Sequence, residues 1–203
     1  ASRLGLVEYV GRKVQVVALH TFYVPLVGDL VIGKITETNI NGWTVDINSA
    51  YMANLKAGEA LNKPFKPQRD DLTSFLDVGD LILAKVVAYD RTRDPSLTIL
   101  EPGLGKVTYG QIVKVSPAKI PRIIGRKGSM ISVLKKETGC SITVGQNGLV
   151  LISGRNPEDE RLAIMAIQKI EQEAHTSGLT DRVTEMIRKE RGVLKNEGTD
   201  EIS

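Results

Sequence analysis

The phrase "VGDLVIGKITETN" at residues 27–39 returns at residues 78–90 as "VGDLILAKVVAYD". In both copies a Val-Gly-Asp start leads into β-branched and apolar residues alternating with polar ones, the period-2 pattern of a half-buried strand. Two such strands must each cover one face, and neither can do so alone. Between them come a Gly/Asn turn at Asn39 to Gly42, a strand carrying Trp43, Val45 and Ile47, and a Lys/Pro-rich loop around "LNKPFKPQRDD". "SLTIL" supplies another strand after the second copy. Five or so short strands over about 75 residues favour a small closed barrel.

Residues 1–26 hold two more β-like runs, "LVEYV" and "KVQVVAL", closed by Pro25. They read as a hairpin arm that needs a neighbour to cover its apolar face. The barrel then occupies 27–101. At "EPGLGK" one Pro and two Gly in six residues mark a break, and the pattern changes beyond it. Residues 102–175 read as strand "QIVKV", short helix "AKIPRII", turn "GRKG", helix "SMISVLKKETG", strand "SITV", turn "GQNG", strand "LVLISG" and a long helix from Asn156. Asn156 suits an N-cap and Pro157 the first helical position, while Glu158, Asp159 and Glu160 suit the positive end of the helix dipole. Leu162, Ala163, Ala166, Ile167 and Ile170 recur at helical spacing as its buried stripe. Residues 176–203 offer one more amphipathic helix, through Leu179, Val183, Met186 and Ile187, and a frayed end.

The net charge of +3 is modest, but its distribution is uneven. From Pro102 to Lys136 there is no Asp or Glu, while Lys106, Lys114, Lys119, Arg122, Arg126, Lys127, Lys135 and Lys136 supply eight positive charges. Such segregation is the electrostatic footprint of a polyanion site, although a solvated lysine face looks the same by composition.

Within that run lies "IPRIIGRKGSMI", residues 120–131. Gly125 and Gly128 remove side chains that would keep a sugar-phosphate backbone from the main chain. The amide groups freed at the start of the helix near Ser129 sit where the dipole favours an anion, and Arg126 and Lys127 add mobile charge. A lone GxxG most often marks only a turn. Here the βααββα order, with Ile123 and Ile124 directly before the loop, resembles a type I KH domain, whose GxxG loop clamps roughly four backbone nucleotides of a single strand. The resemblance implies phosphate contacts from Gly125, Arg126, Lys127 and Gly128, with Lys119 and Arg122 adding charge. It also implies an apolar groove for bases from Ile123, Ile124 and the strand around Ile142 to Val144, residues that could equally be core.

The strand phrases of 27–101 resemble an S1-type OB barrel. Such barrels bind single strands by stacking bases on aromatic side chains in a positive groove. This copy has Asn41 and Thr44 where the family commonly places aromatic residues around the second strand, and Trp43 alternates with Val45 toward the core. Its contribution is then expected to be electrostatic, from Arg91 and Arg93 in the "DRTRD" loop and from Lys34.

Catalytic and metal constellations are not apparent. His20 and His175 are far apart, Asp70 and Asp71 sit in the Lys/Pro loop with no nucleophile in view, and the single Cys140 can form neither an internal disulfide nor a zinc site alone. No P-loop or Ser/His/Asp spacing is present. The chain reads as a non-catalytic binder without cofactor or metal, and one cysteine fits a reducing, cytoplasmic setting. No apolar run approaches the roughly 18 residues that span a bilayer, so no membrane partner is expected.

Arm, S1-type barrel and a single KH domain in this order resemble the RNA-binding cap subunits of the archaeal exosome, the ribosomal RNA-processing protein 4 type. The resemblance implies three copies on a ring of RNase-PH-like subunits, recruiting single-stranded RNA for phosphorolysis, and the arm, whose runs otherwise lack enough partners, is expected to dock on that ring. The other exosome cap subunit needs a zinc ribbon that one cysteine cannot supply. An elongation factor of the NusA type usually carries two KH modules, and polynucleotide phosphorylase has the reverse domain order and a catalytic core. The NusA-type factor and a structural adaptor with little RNA binding stand as the alternatives.

Overall fold

The computed structural model describes residues 5–10, 13–18, 22–61, 66, 71–90, 92–174, 176 and 178–200, with side chains described between residues 22 and 192. Strands β1 (Gly5–Val10) and β2 (Lys13–Ala18) pair antiparallel from Gly5↔Ala18 to Val10↔Lys13, the hairpin that the two apolar runs predict.

The barrel is built from β3 (Leu30–Asn39), β4 (Gly42–Asp46), β5 (Met52–Lys56), β6 (Leu81–Asp90) and β7 (Arg93–Thr98). Its strand order is β3-β4-β5-β7-β6, and a β3–β6 pairing closes the ring. The repeated phrases are therefore the two strands that meet at the seam. Their starts brace each other reciprocally. Gly28 N–H donates to Val86 C=O at 2.8 Å and Val86 N–H returns to Asp29 C=O at 2.9 Å, while Gly79 N–H donates to Ile35 C=O and Ile35 N–H to Asp80 C=O, both at 2.9 Å. Each turn also folds its Asp back on the chain, Asp29 accepting from Leu26 N–H and Asp80 from Asp77 N–H. The repetition thus encodes a local two-fold, with Gly28 and Gly79 at positive φ of 95° and 96°.

Inside the ring, Val31, Ile35, Trp43, Val45, Leu55, Leu76, Ile82 and Leu97 form the core. Trp43 is 1% exposed, as its alternation with Val45 predicts, and its Nε1–H donates to Leu76 C=O at 2.9 Å. A short strand in the segment read as a connector, β8 (Gly105–Val107), adds to the outer side of β6.

The second unit runs β9 (Gln111–Lys114), α1 (Ile120–Ile124), α2 (Ser129–Thr138), β10 (Ser141–Val144), β11 (Leu149–Ser153) and α3 (Pro157–Gln172). This is the βααββα order read from the sequence, with an antiparallel sheet of order β10-β11-β9. Leu134, Ile142, Val150, Ile152, Ala166 and Ile167 fill its core. Asn156 takes the extended N-cap conformation of α3, but no side chain caps the first turn. Its amide turns toward Asp159 instead, and Glu160 reaches back to accept from Gly154 N–H at 2.9 Å.

The last helix, α4 (Leu179–Asp200), lays Leu179, Val183 and Ile187 into the same core and runs on through Gly192. A single glycine costs a helix only about 1 kcal/mol relative to Ala. Arg188 forks onto Glu137 of α2 at 3.0 and 2.8 Å, and Arg191 ties Thr138 C=O to Asp159 of α3.

The two units are locked by the β10–β11 turn, read from the sequence as a turn only. Asn147, wholly buried, donates through Nδ2 to the carbonyls of Ile32 and Ile47 at 2.7 and 2.8 Å and accepts at Oδ1 from Ile32 N–H. Gln146 N–H donates to Leu30 C=O, and Asn48 Nδ2 donates to Asn147 C=O. This docking explains why Ile32, on the outer face of β3 by alternation, is fully buried.

Candidate nucleic-acid interface

The GRKG loop owes its shape to its glycines. Gly125 ends α1 at φ 76° and Gly128 precedes α2 in the left-handed region at φ 78°. A Cβ on Gly125 would lie 2.6 Å from Met130 N, so the turn closes only without a side chain there. Lys127 also adopts φ 53°, a conformation that costs a non-glycine residue about 1 kcal/mol or more and persists where the surroundings enforce it. No side chain caps the first turn of α2. Its amides and the exposed Arg126 and Lys127 therefore converge on one small region, which suits an anionic oxygen.

Arg122 and Arg126 line a cleft of about 320 Å³ beside Gly125 and Ser129, and the start of α4 at Thr180 and Asp181 forms the opposite wall. That wall has no local signature, because α4 lies more than 50 residues from the loop and reaches it only through tertiary packing. Lys119 is half-buried at the end of a 3-10 turn before α1, outside this cleft. Lys106, counted in the acid-free run, is neutralised from outside it by Asp80 at 2.6 Å. Backbone and Lys106 contacts hold the Asp80 carboxyl below the usual range, with the Asp77 amide the larger cause.

Ile123 corrects one expectation. Its side chain is 0% exposed, because positions 120 and 123 share the inward face of α1, so it packs the core and cannot meet a base. Ile142 is likewise buried in the core. Ile124 and Ile131, which flank the loop, are half-buried and pack against the core without being enclosed by it.

On the barrel, Arg93 lines a cleft of about 360 Å³ with Asn41, Asn54, Lys56 and Ser96. Trp43 forms part of the wall with its ring otherwise buried, so the lining offers amides, the cations Lys56 and Arg93 and the Asp94 carboxylate rather than a stacking face. Lys34 is not in this cleft. It is exposed on β3, opposite Asp46 of β4. Arg91, His20, Asp70 and His175 lie outside the described residues. Among the described residues no cluster of three or more His, Cys, Asp or Glu could hold a metal ion, and no helix is long and apolar enough to cross a membrane.

Two family models match the chain: the S1 domain of RRP4 over residues 22–88 and the KH domain over residues 110–169. Among similar curated proteins, the exosome complex component Rrp4 of Aeropyrum pernix is 49% identical over 177 residues, covering 87% of this chain and 75% of that protein. The protein of the same name from Ignisphaera aggregans is 42% identical over 189 residues, covering 92% of this chain and 75% of that protein. A solved structure described as a putative exosome complex RNA-binding protein superposes with a TM-score of 0.80 at 49% identity, covering 85% of this chain and 99% of the other.

Proposed function

Since this chain belongs to the Rrp4 family of exosome complex components, we propose that it is a non-catalytic RNA-binding subunit of an archaeal exosome. It captures single-stranded RNA and presents the 3′ end to subunits that degrade it. The observation that carries this reading is the GRKG loop, where uncapped helix amides and two exposed cations meet at a backbone held open by Gly125 and Gly128. Gly125, Arg126, Lys127 and Gly128 grip phosphates, Arg122 and Lys119 add positive potential, and Ile124 meets a base. The barrel adds polar and cationic contacts through Arg93, with Lys34 and Arg91 contributing charge. Three copies cap a ring of RNase-PH-like subunits in the cytoplasm, with the β1–β2 arm against the ring.

Reconstitution tests this. The purified chain is mixed with the phosphorolytic subunits of a related archaeon, and loss of the 3′ end of a labelled single strand is followed with and without it. Faster degradation in its presence, none by the chain alone, and co-elution with the ring subunits support the proposal. Unchanged degradation without co-elution would sink it.

A further inference from the structure

The lock at Asn147 leaves a crevice of about 660 Å³ between barrel and KH domain, within the range of sites that hold small ligands. Phe22 lies on its wall with 75% of its surface exposed. Its backbone is nevertheless anchored, because the next residue, Tyr23, is buried, donates its hydroxyl to Asp29 at 2.8 Å and forms a bridge to Ser49. A large ring presented on a fixed backbone, covered by nothing among the described residues, is a ready stacking surface.

The polar lining narrows the ligand. Asp46 accepts from Asn48 N–H, and Glu171 accepts from Ser116 N–H at 2.7 Å. Each carboxylate uses one oxygen in these bonds and keeps a second that can accept. Two carboxylates repel phosphate but suit base amino groups and ribose hydroxyls. Lys114, exposed in the same lining, can hold the flanking phosphate. From this crevice to the GRKG loop the chain runs through the 3-10 turn Pro117–Lys119 and α1, no more than about 14 Å of helix. Arg122 and Arg126 continue the positive potential along it.

We propose that this crevice is a nucleoside pocket for the strand gripped at the GRKG loop. One base lies on the Phe22 ring, Asp46 and Glu171 accept from its amino or ribose groups, and Lys114 meets the adjoining phosphate. The pocket rests on the RNA-binding reading above and extends it from a four-nucleotide grip to a path between the two modules.

The test is fluorescence anisotropy of the full chain with labelled single-stranded RNAs of about four and about twelve nucleotides, lengths within and beyond the reach of one GxxG loop. Phe22→Ala weakens the longer strand about five- to tenfold and leaves the shorter one unchanged, and Phe22→Trp restores the longer strand's affinity. Equal loss at both lengths overturns the pocket. So does an unchanged affinity for both while Arg126→Gln/Lys127→Gln loses binding, an outcome that leaves the RNA-binding reading standing. If neither variant alters affinity, the RNA-binding reading fails and the pocket with it. Phe22→Ala that only impairs recovery of other exosome subunits assigns the ring to a protein contact and also overturns it.

Discussion

Asn147 of the KH domain engages the peptide groups on both sides of Ile32 in the barrel, accepting from its N–H at 3.3 Å and donating to its C=O at 2.7 Å. A third bond, to Ile47 C=O, uses the second amide hydrogen, at a site with no access to water. Asn147→Ala strands three buried backbone groups and should cost about 3 kcal/mol in urea unfolding. Asn147→Asp should be at least as damaging, since it turns a donor into a carboxylate oxygen facing two carbonyls. If both variants unfold like the parent, water substitutes for the amide and the lock is dispensable.

The two glycines of the loop should not be equivalent. Gly125→Ala meets Met130 N at 2.6 Å as well as an unfavourable φ, whereas at Gly128 the nearest atom is Ile131 Cγ2 at 3.9 Å and only the φ is unfavourable. Thermal unfolding should show a loss of about 1 kcal/mol for Gly128→Ala and up to about 3 kcal/mol for Gly125→Ala. RNA affinity should follow the same order. A reversed order would mean that the loop relaxes away from its present geometry.

Salt dependence distinguishes phosphate contacts from general charge. If Arg126 and Lys127 each neutralise one phosphate, Arg126→Gln/Lys127→Gln should make the slope of log K against log salt shallower by about 1.4, at about 0.7 per contact on a single strand. An affinity loss with an unchanged slope would place these side chains away from phosphates.

The clamp of α4 on α2 is sensitive to acid. The Arg188 guanidinium hydrogen-bonded to Glu137 holds the Glu137 carboxyl below its ordinary value of 4.5. Because the folded value lies below the unfolded one, the stabilisation is complete above 4.5 and fades as pH falls through the lower folded value. Arg188→Ala should therefore lower the melting temperature near neutral pH and have little further effect near pH ~3. Equal penalties in both conditions would assign its role to packing beside Ile187 rather than to the ion pair.

Much of the architecture was legible because it is written in local periods. The alternation around Trp43, the repeated Val-Gly-Asp phrases and the stripe from Leu162 to Ile170 each declare a buried face without knowledge of the partner. The candidate site was legible only in part. Gly125 and Gly128 signalled a tight turn, but helical spacing left open which of Ile123 and Ile124 faces out, and burial assigns Ile123 to the core. The charge count included Lys106, whose partner Asp80 lies outside the basic run. The turn "GQNG" looked like any connector, because Asn147 spends its side chain on backbone groups 115 and 100 residues away, and backbone partners leave no residue-type signature. The crevice beside Phe22 was invisible for the same reason, as its walls come from four separated stretches of chain.

The seam between β3 and β6 also sets a schedule for biosynthesis. The first copy of the phrase leaves the ribosome 51 residues ahead of the second, and its outer hydrogen-bonding edge has no native neighbour until that second copy emerges. At about 5–20 residues per second this interval lasts roughly 3–10 s. During it the edge of residues 30–34 that later meets β6 stays open even where β4 has paired the other side, and the nascent chain is most exposed to chaperones and to wrong pairing.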